Sequence, residues 1–320
     1  MRRCDICHHP WTFAYCGQYQ HTHQPVPSRP VLAHALCAVP VTLNHVYRAL
    51  LAALPLAASH RQALRQRGLT DTEILRRRYR TLPLHRRAAL AKALVESLGA
   101  DLCAQVPGFY MAEQGGRRWW SLAGAAGLLI PVRNLDGHIV ALKVRADVPG
   151  NGPKYTTVSS TKHGGPGPGA PVHVPLYAGA RGNTIRLTEG EVKADVVTAL
   201  SGLLTISIPG VAMWRKALPV IQSLGSQRVL LAFDADWRVN PHVAQALGQA
   251  AFALVKARYE VQVEVWEPGL GKGIDDLLAG GCMPQLQSVA LAFGVAVRGQ
   301  ARAWTGQLQT VAAEEVPPWR

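Results

Sequence analysis

The chain has 320 residues, more than one hydrophobic core usually holds, so two or three compact units are expected. Apolar residues make up 48% and charged residues 17%, which excludes a mostly disordered protein, and no run of about twenty apolar residues exists to cross a membrane as a helix. A formal charge of +14 points to a polyanion, nucleic acid before a membrane surface, and the start at Met1-Arg2-Arg3 lacks the apolar stretch of a signal peptide, so a cytoplasmic protein is expected.

Residues 1–40 are rich in Cys, His, Pro and aromatic residues, with little periodicity. Four of the six cysteines, Cys4, Cys7, Cys16 and Cys37, crowd here, which in a reducing compartment favours metal over disulfides. Cys4-x-x-Cys7 is half of a tetrahedral zinc site, and Cys16, His21, His23 and Cys37 compete for the other half. The preferred zinc set is Cys4, Cys7, Cys16 and His23; the alternative is a free-thiol terminus with His8 and His9 on the surface. Cys103 and Cys282 read as buried apolar side chains.

Residues 41–120 read as a basic helical region. Val46, Leu50, Leu51 and Leu54 share one helical face, and Leu64, Leu69, Ile74 and Leu75 continue the apolar set. Thr70-Asp71-Thr72-Glu73 fits a capping box. Arg61, Arg65, Arg67, Arg76, Arg77, Arg78, Arg80, Arg86 and Arg87 are expected on an exposed, phosphate-binding face.

Residues 121–180 read as β-rich, with strands at Leu128–Val132 and Ile139–Val144 joined by the turn Asn134-Leu135-Asp136-Gly137. His163–Pro171 is a Gly/Pro-rich loop. Over residues 181–282 short apolar strands alternate with helices: Thr184–Thr188, Lys193–Leu200, Leu203–Ile208, Trp214–Leu224, Arg228–Phe233, Pro241–Lys256 and Glu260–Trp266. Apolar runs without polar alternation, separated by amphipathic helices, indicate a mostly parallel sheet covered on both faces. Residues 283–320 read as a C-terminal tail, loosely held from Arg298 to Arg320.

Ligands of open α/β sheets gather at the carboxyl ends of the strands. Three acids stand there: Glu189 after Ile185-Arg186-Leu187-Thr188, and Asp234 and Asp236 after Val229-Leu230-Leu231-Ala232-Phe233. Hard oxygen donors at that spacing suit Mg²⁺ or Mn²⁺. Asp275-Asp276 opens a further helix inside Gly271-Lys272-Gly273-Ile274. The bland alternative is that Asp236 and Asp275 cap helices and Glu189 ends a strand in solvent.

Thr188-Glu189-Gly190-Glu191, Ser207-Ile208-Pro209-Gly210, Phe233-Asp234-Ala235-Asp236 and Gly271-Lys272-Gly273-Ile274-Asp275-Asp276 together resemble the successive motifs of TOPRIM domains in phage primase-helicases and bacterial-type primases. Ile130-Pro131-Val132-Arg133, Gly137-His138-Ile139-Val140, Pro153-Lys154-Tyr155, Ser159 and Pro175-Leu176-Tyr177 resemble the strand region that precedes TOPRIM in those primases. The resemblance spans roughly residues 120 to 282, about half the chain. It implies an α/β fold: a TOPRIM parallel-sheet domain preceded by a β-rich primase subdomain and a basic helical N-terminal region. It further implies a DNA primase, a template-directed nucleotidyltransferase of mobile-element type that makes short primers on single-stranded DNA from nucleoside triphosphates. Glu189 would be the catalytic acid, Asp234 and Asp236 metal ligands with it, and Asp276, or else Asp275, part of a second Mg²⁺ or Mn²⁺ site. Arg133, Lys143, Arg145 and Lys154 would bind nucleotide and template, although Lys143 and Arg145 also fit a solvated strand edge.

The run from Glu189 to Asp195 is longer than the primase form and leaves open whether Glu191 or Asp195 has a role. No Gly-x4-Gly-Lys-Ser/Thr motif occurs, so a separate replicative helicase is the expected partner. Two rivals use the same residues differently: a metal-dependent TOPRIM nuclease, and a non-catalytic module that holds single-stranded nucleic acid.

Overall fold

The computed structural model describes residues 15–16, 21–22, 36–148, 152–179 and 182–294. Of the expected zinc ligands, Cys4, Cys7 and His23 lie outside the described residues. Cys16 is described through its backbone alone, where β1 (Tyr15–Cys16) pairs antiparallel with β2 (His21–Thr22). The expected tail from Arg298 to Arg320 also lies outside them.

Pro40 opens helix α1 (Pro40–Ala52) at a position where its missing N–H costs nothing, and the helix buries Leu43, Val46, Tyr47, Leu50 and Leu51. Helices α2 (Ala58–Gln66) and α3 (Asp71–Arg77) follow. The Thr70 hydroxyl accepts from the Glu73 amide at 3.2 Å, which is half of the expected capping box; the Glu73 carboxylate turns instead to Arg76 and Arg77.

The expected all-helical stretch is interrupted. Strand β3 (Arg80–Leu82) precedes helices α4 (Arg87–Leu98) and α5 (Ala100–Ala104), and a hairpin of β4 (Phe109–Gln114) and β5 (Arg117–Leu122) closes the region. Strand β3 joins β6 (Gly127–Arg133), β7 (Ile139–Ala146) and β8 (Tyr155–Thr157) in an antiparallel sheet of order β3-β6-β7-β8. The helices before residue 120 and the strands after it therefore share one core, in which Leu50, Leu51, Leu82, Leu129 and Leu142 pack together. The β6–β7 turn is the expected one, with Asn134 Oδ1 accepting from the Asp136 and His138 amides.

A second sheet, ordered β10-β9-β11-β12-β13, is built from β9 (Thr184–Glu189), β10 (Thr205–Ile208), β11 (Arg228–Leu231), β12 (Glu260–Val265) and β13 (Gln285–Ser288). The first four run parallel and β13 antiparallel. Strand β13, with the short helix α10 (Val289–Ala292) after it, lies within the stretch expected to be tail.

Helices α7 (Ala217–Leu224) and α8 (Pro241–Lys256) share a hydrophobic cluster with one face of this sheet. Helices α6 (Glu191–Ser201) and α9 (Ile274–Ala279) pack together in a second cluster with Ala232 and Trp266. Helix α6 is buried on two sides, because Val192 and Val196 also pack against Leu64, Leu69, Ile74, Leu128 and Ile130. This helix joins the two sheets, and its N-terminus opens onto the cleft between them.

Candidate active site

The cleft has a volume of about 180 Å³ and is lined by Arg67, Lys143, Tyr155, Glu189, Lys193 and Pro209, with the backbone turn at Gly190. Glu189 is the last residue of β9, and Gly190, at φ 92°, turns the chain into α6. Asp234 lies just past the adjacent parallel strand β11, and a 3-10 turn over Ala235–Arg238 carries Asp236. The Ala235 amide donates to the Lys272 carbonyl at 2.9 Å, fixing that turn to the loop before α9.

Glu189 and Asp234 are electrostatically coupled, and Asp236 joins them through Lys272. Burial pushes the Glu189 carboxyl up; Lys193 and Lys143 oppose this, while Asp234 and Glu191 add to it. Lys193 is ion-paired to Asp234 Oδ1, and Lys272 Nζ stands 3.9 Å from both Asp234 Oδ2 and Asp236 Oδ2. Asp234 and Asp236 thus face one position. Their side chains are 23% and 41% exposed, accessible to a ligand entering from solvent.

Among the described residues no three His, Cys, Asp or Glu side chains close to metal-ligand geometry. Around these carboxylates the compensating positive charges are the ammonium groups of Lys143, Lys193 and Lys272. A donor set of accessible carboxylate oxygens, already arranged about cationic groups, fits a hard divalent cation in place of those ammoniums.

The acids of α9 are engaged elsewhere. Asp275 is buried against Arg67 Nη2 at 2.5 Å, and Asp276 Oδ2 accepts from the Gly273 amide at 3.1 Å, capping its own helix.

The basic residues divide sharply. Lys143 is on an interior strand and buried, not at a solvated edge; its Nζ donates to both Glu191 oxygens, at 2.8 and 2.9 Å. Arg145 is partly exposed, opposite Tyr155 in the β7–β8 register, and Lys154 is exposed beside it. Neither makes an ion pair among the described residues, so both can take a ligand's charge. Arg133 is off the cleft: its guanidinium is buried and donates to the Arg77 carbonyl at 2.8 Å.

The expected face of exposed arginines is corrected most at Arg77, which is fully buried and ion-paired to Asp195 at 2.8 Å and to Glu73. Arg67 binds Asp275, Arg65 pairs with Asp71, and Arg80 and Arg87 donate to backbone carbonyls. Arg61, Arg65, Arg76 and Arg86 are exposed, Arg76 donating to the Leu176 carbonyl at 3.0 Å, and Arg78 is half-buried.

Asp195 has a structural role. Burial opposes its ionisation, yet His173, Arg77 and the Tyr79 hydroxyl hold its carboxyl well below the usual range. Sequence reasoning assigned no function to Lys193 or Tyr155, and it placed Arg67 on a phosphate-binding face and not in the cleft. Lys193 had a signal, since it stands four residues after Glu189 in the first turn of α6, within reach of the same strand ends. Arg67 and Tyr155 reach the cleft only through the packing of the two sheets.

Residues 179–282 match a family described as a domain of unknown function, DUF3854. No curated protein matches the sequence. Several solved structures do match. The RNA polymerase domain of the Mycobacterium tuberculosis primase DnaG is 14% identical over 87% of this chain and 94% of that one, at a TM-score of 0.57. A DnaG primase catalytic domain bound to ssDNA is 17% identical over 79% and 81%, at 0.55. The zinc-binding and RNA polymerase domains of the Aquifex aeolicus primase are 14% identical at 0.54. The match covers 78% of this chain and 63% of the Aquifex one. The fold is that of primase catalytic cores. Among the described residues no helix is long and apolar enough to cross a membrane.

Proposed function

We propose that the chain is a DNA primase of the TOPRIM type, a template-directed nucleotidyltransferase that uses Mg²⁺ or Mn²⁺ to make short primers on single-stranded DNA. The observation that carries this reading is the pairing of Glu189 and Asp234, from the ends of adjacent parallel strands: Glu189 lines a cleft bordered by basic side chains, and Asp234 is ion-paired to Lys193 of the same cleft. The shared fold with primase catalytic cores supports it, one of them bound to ssDNA.

Bound at Glu189, Asp234 and Asp236, the divalent cation would neutralise the charge that develops on the transferring phosphoryl group. The chain's own residues do the rest. Arg145 and Lys154 supply unpaired charge for the triphosphate, and Glu191 fixes the Lys143 ammonium at the cleft wall. Lys193, ion-paired to Asp234 and lining the cleft, would supply a further ammonium group for phosphate charge. Asp276 is a weaker candidate for a second cation, because it must give up the cap of α9 to serve one.

In this reading residues 1–40 are a zinc-binding head on Cys4, Cys7, Cys16 and His23, and residues 181–282 are the catalytic domain. Strand separation falls to a partner helicase, and the setting is replication of a mobile element. The test is incubation of the protein with single-stranded DNA, labelled NTPs or dNTPs and Mg²⁺ or Mn²⁺. Short, template-dependent products are expected. DNA shortened without any need for nucleotides would instead identify a nuclease, and DNA binding with neither activity a non-catalytic module.

A further inference from the structure

The β4–β5 hairpin is a two-stranded ribbon that belongs to neither large sheet. Alternation along its strands gives it two faces. One carries Phe109, Leu122 and Trp120, which pack into or against the core behind them. The other carries Tyr110, Trp119 and Arg117, and the 3-10 turn Thr161–His163 packs against it at Tyr110. Trp119 is 36% exposed, and its cross-strand partner is Ala112, which leaves the indole uncovered by the residue opposite.

At the base of this outer face Tyr110 is stacked on His163, with ring centroids 3.6 Å apart and planes 11° from parallel. His163 is itself exposed, so the stack can be extended. The pair is built rather than incidental. The buried Ser160 hydroxyl accepts from the Gly108 amide and donates to the Phe109 carbonyl, each at 2.7 Å, tying the 3-10 turn Thr161–His163 to the root of β4. Gly108 is required for that approach, since a Cβ there would stand 2.6 Å from Val158 Cγ1. The turn also continues from β8, whose Tyr155 lines the cleft.

Cations outnumber acids around the aromatics. Arg117, Arg118 and Lys162 are exposed, and the neighbouring acid on the ribbon is Glu113, 3.6 Å from Arg118. Exposed aromatic rings interleaved with cations match unpaired bases on a phosphate backbone, because every base offers a π-face and duplex DNA hides it. We infer that the outer face of the β4–β5 ribbon, with Tyr110, Trp119 and His163 as stacking groups and Arg117 and Lys162 as phosphate contacts, is a binding site for single-stranded nucleic acid outside the catalytic cleft. The site deepens the primase reading by placing part of the template, and rests on that reading only for the identity of the strand.

The test is fluorescence anisotropy of a labelled single-stranded oligothymidylate, and of a duplex of equal length, with wild type, Trp119→Ala, Trp119→Phe and Glu189→Gln. Trp119→Ala should bind the single strand roughly tenfold more weakly, Trp119→Phe should restore most of the affinity, and duplex binding should change little. Melting should be unchanged, because the indole supports no core. Wild type that does not bind the single strand, or Trp119→Ala that binds it like wild type, overturns the site. So does an equal loss toward duplex, or a wild-type dimer in sedimentation that Trp119→Ala dissociates, which would assign the face to a second copy. Glu189→Gln should bind normally. If Trp119→Ala weakens binding while no nucleotide is ever incorporated, the ribbon stands and the primase reading falls; incorporation by a protein whose Trp119→Ala variant binds normally has the opposite meaning.

Discussion

Asp195 is where a single carboxylate holds several parts of the chain. It takes Arg77 from α3, Tyr79 from just before β3 and His173 from the segment that bridges to β10, all without solvent. A buried charge with its partners removed is costly, so Arg77→Met or Asp195→Asn should destabilise the protein by about 3–5 kcal/mol in urea unfolding. The pH dependence has a defined sign. The folded-state pKa of Asp195 lies below its unfolded value, so its stabilisation is complete above the unfolded pKa of about 3.9 and is lost as pH falls below it. Asp195→Asn should therefore flatten the acid limb of a stability profile measured from pH 7 downward, and an equally steep acid limb in the variant would remove Asp195 as its source. Nothing in the sequence showed this network, because its members are separated by up to 118 positions and each alone reads as an ordinary surface residue.

At the level of elements, legibility followed burial pattern. Strands β9 to β12 and their helices stand where the apolar runs placed them, because a parallel sheet covered on both faces leaves unbroken hydrophobic stretches. Strand β3 was hidden: three residues, two of them partly exposed, inside an arginine-rich stretch of helices. Strand β13 is polar and mostly exposed at a sheet edge, so it has no apolar run to read. The β4–β5 hairpin did carry a signal, since Gly115-Gly116, both at positive φ, is a two-residue turn flanked by aromatic residues. One glycine tests the pairing of β6 with β7 directly. A Cβ at Gly127, where φ is 151°, would lie 2.1 Å from the Arg145 carbonyl oxygen, so Gly127→Ala should lower stability by about 2 kcal/mol or more. Unchanged thermal unfolding of that variant would mean the β6–β7 register is not as described.

On the scale of the whole molecule the +14 charge remains the best guide to the partner, but its location differs from the sequence expectation. Most arginines between Arg61 and Arg87 hold the fold together. The cationic patch that remains includes Arg61 and Arg78, near enough to Arg80 to lower its pKa along with burial. Arg61→Ala with Arg78→Ala should reduce the salt dependence of DNA binding by about one to two units of log–log slope, and an unchanged slope would remove them from the phosphate contacts. The N-terminal head makes its own prediction: one zinc ion per chain, lost in Cys4→Ser with Cys7→Ser. Elemental analysis finding no zinc in protein purified without chelator would contradict it.

The acids at the parallel strand ends were legible because chain order, strand order and chemistry agree there. The lysines that hold them were not, since pairing across a cleft depends on how two sheets meet. The most direct measurement of the central claim is primer synthesis on single-stranded DNA by Glu189→Gln and Asp234→Asn beside wild type, with melting and DNA binding followed in the same preparations. The account predicts at least a roughly hundredfold loss of nucleotide incorporation in both variants, with folding and DNA binding retained. Incorporation that persists undiminished in either variant would contradict it.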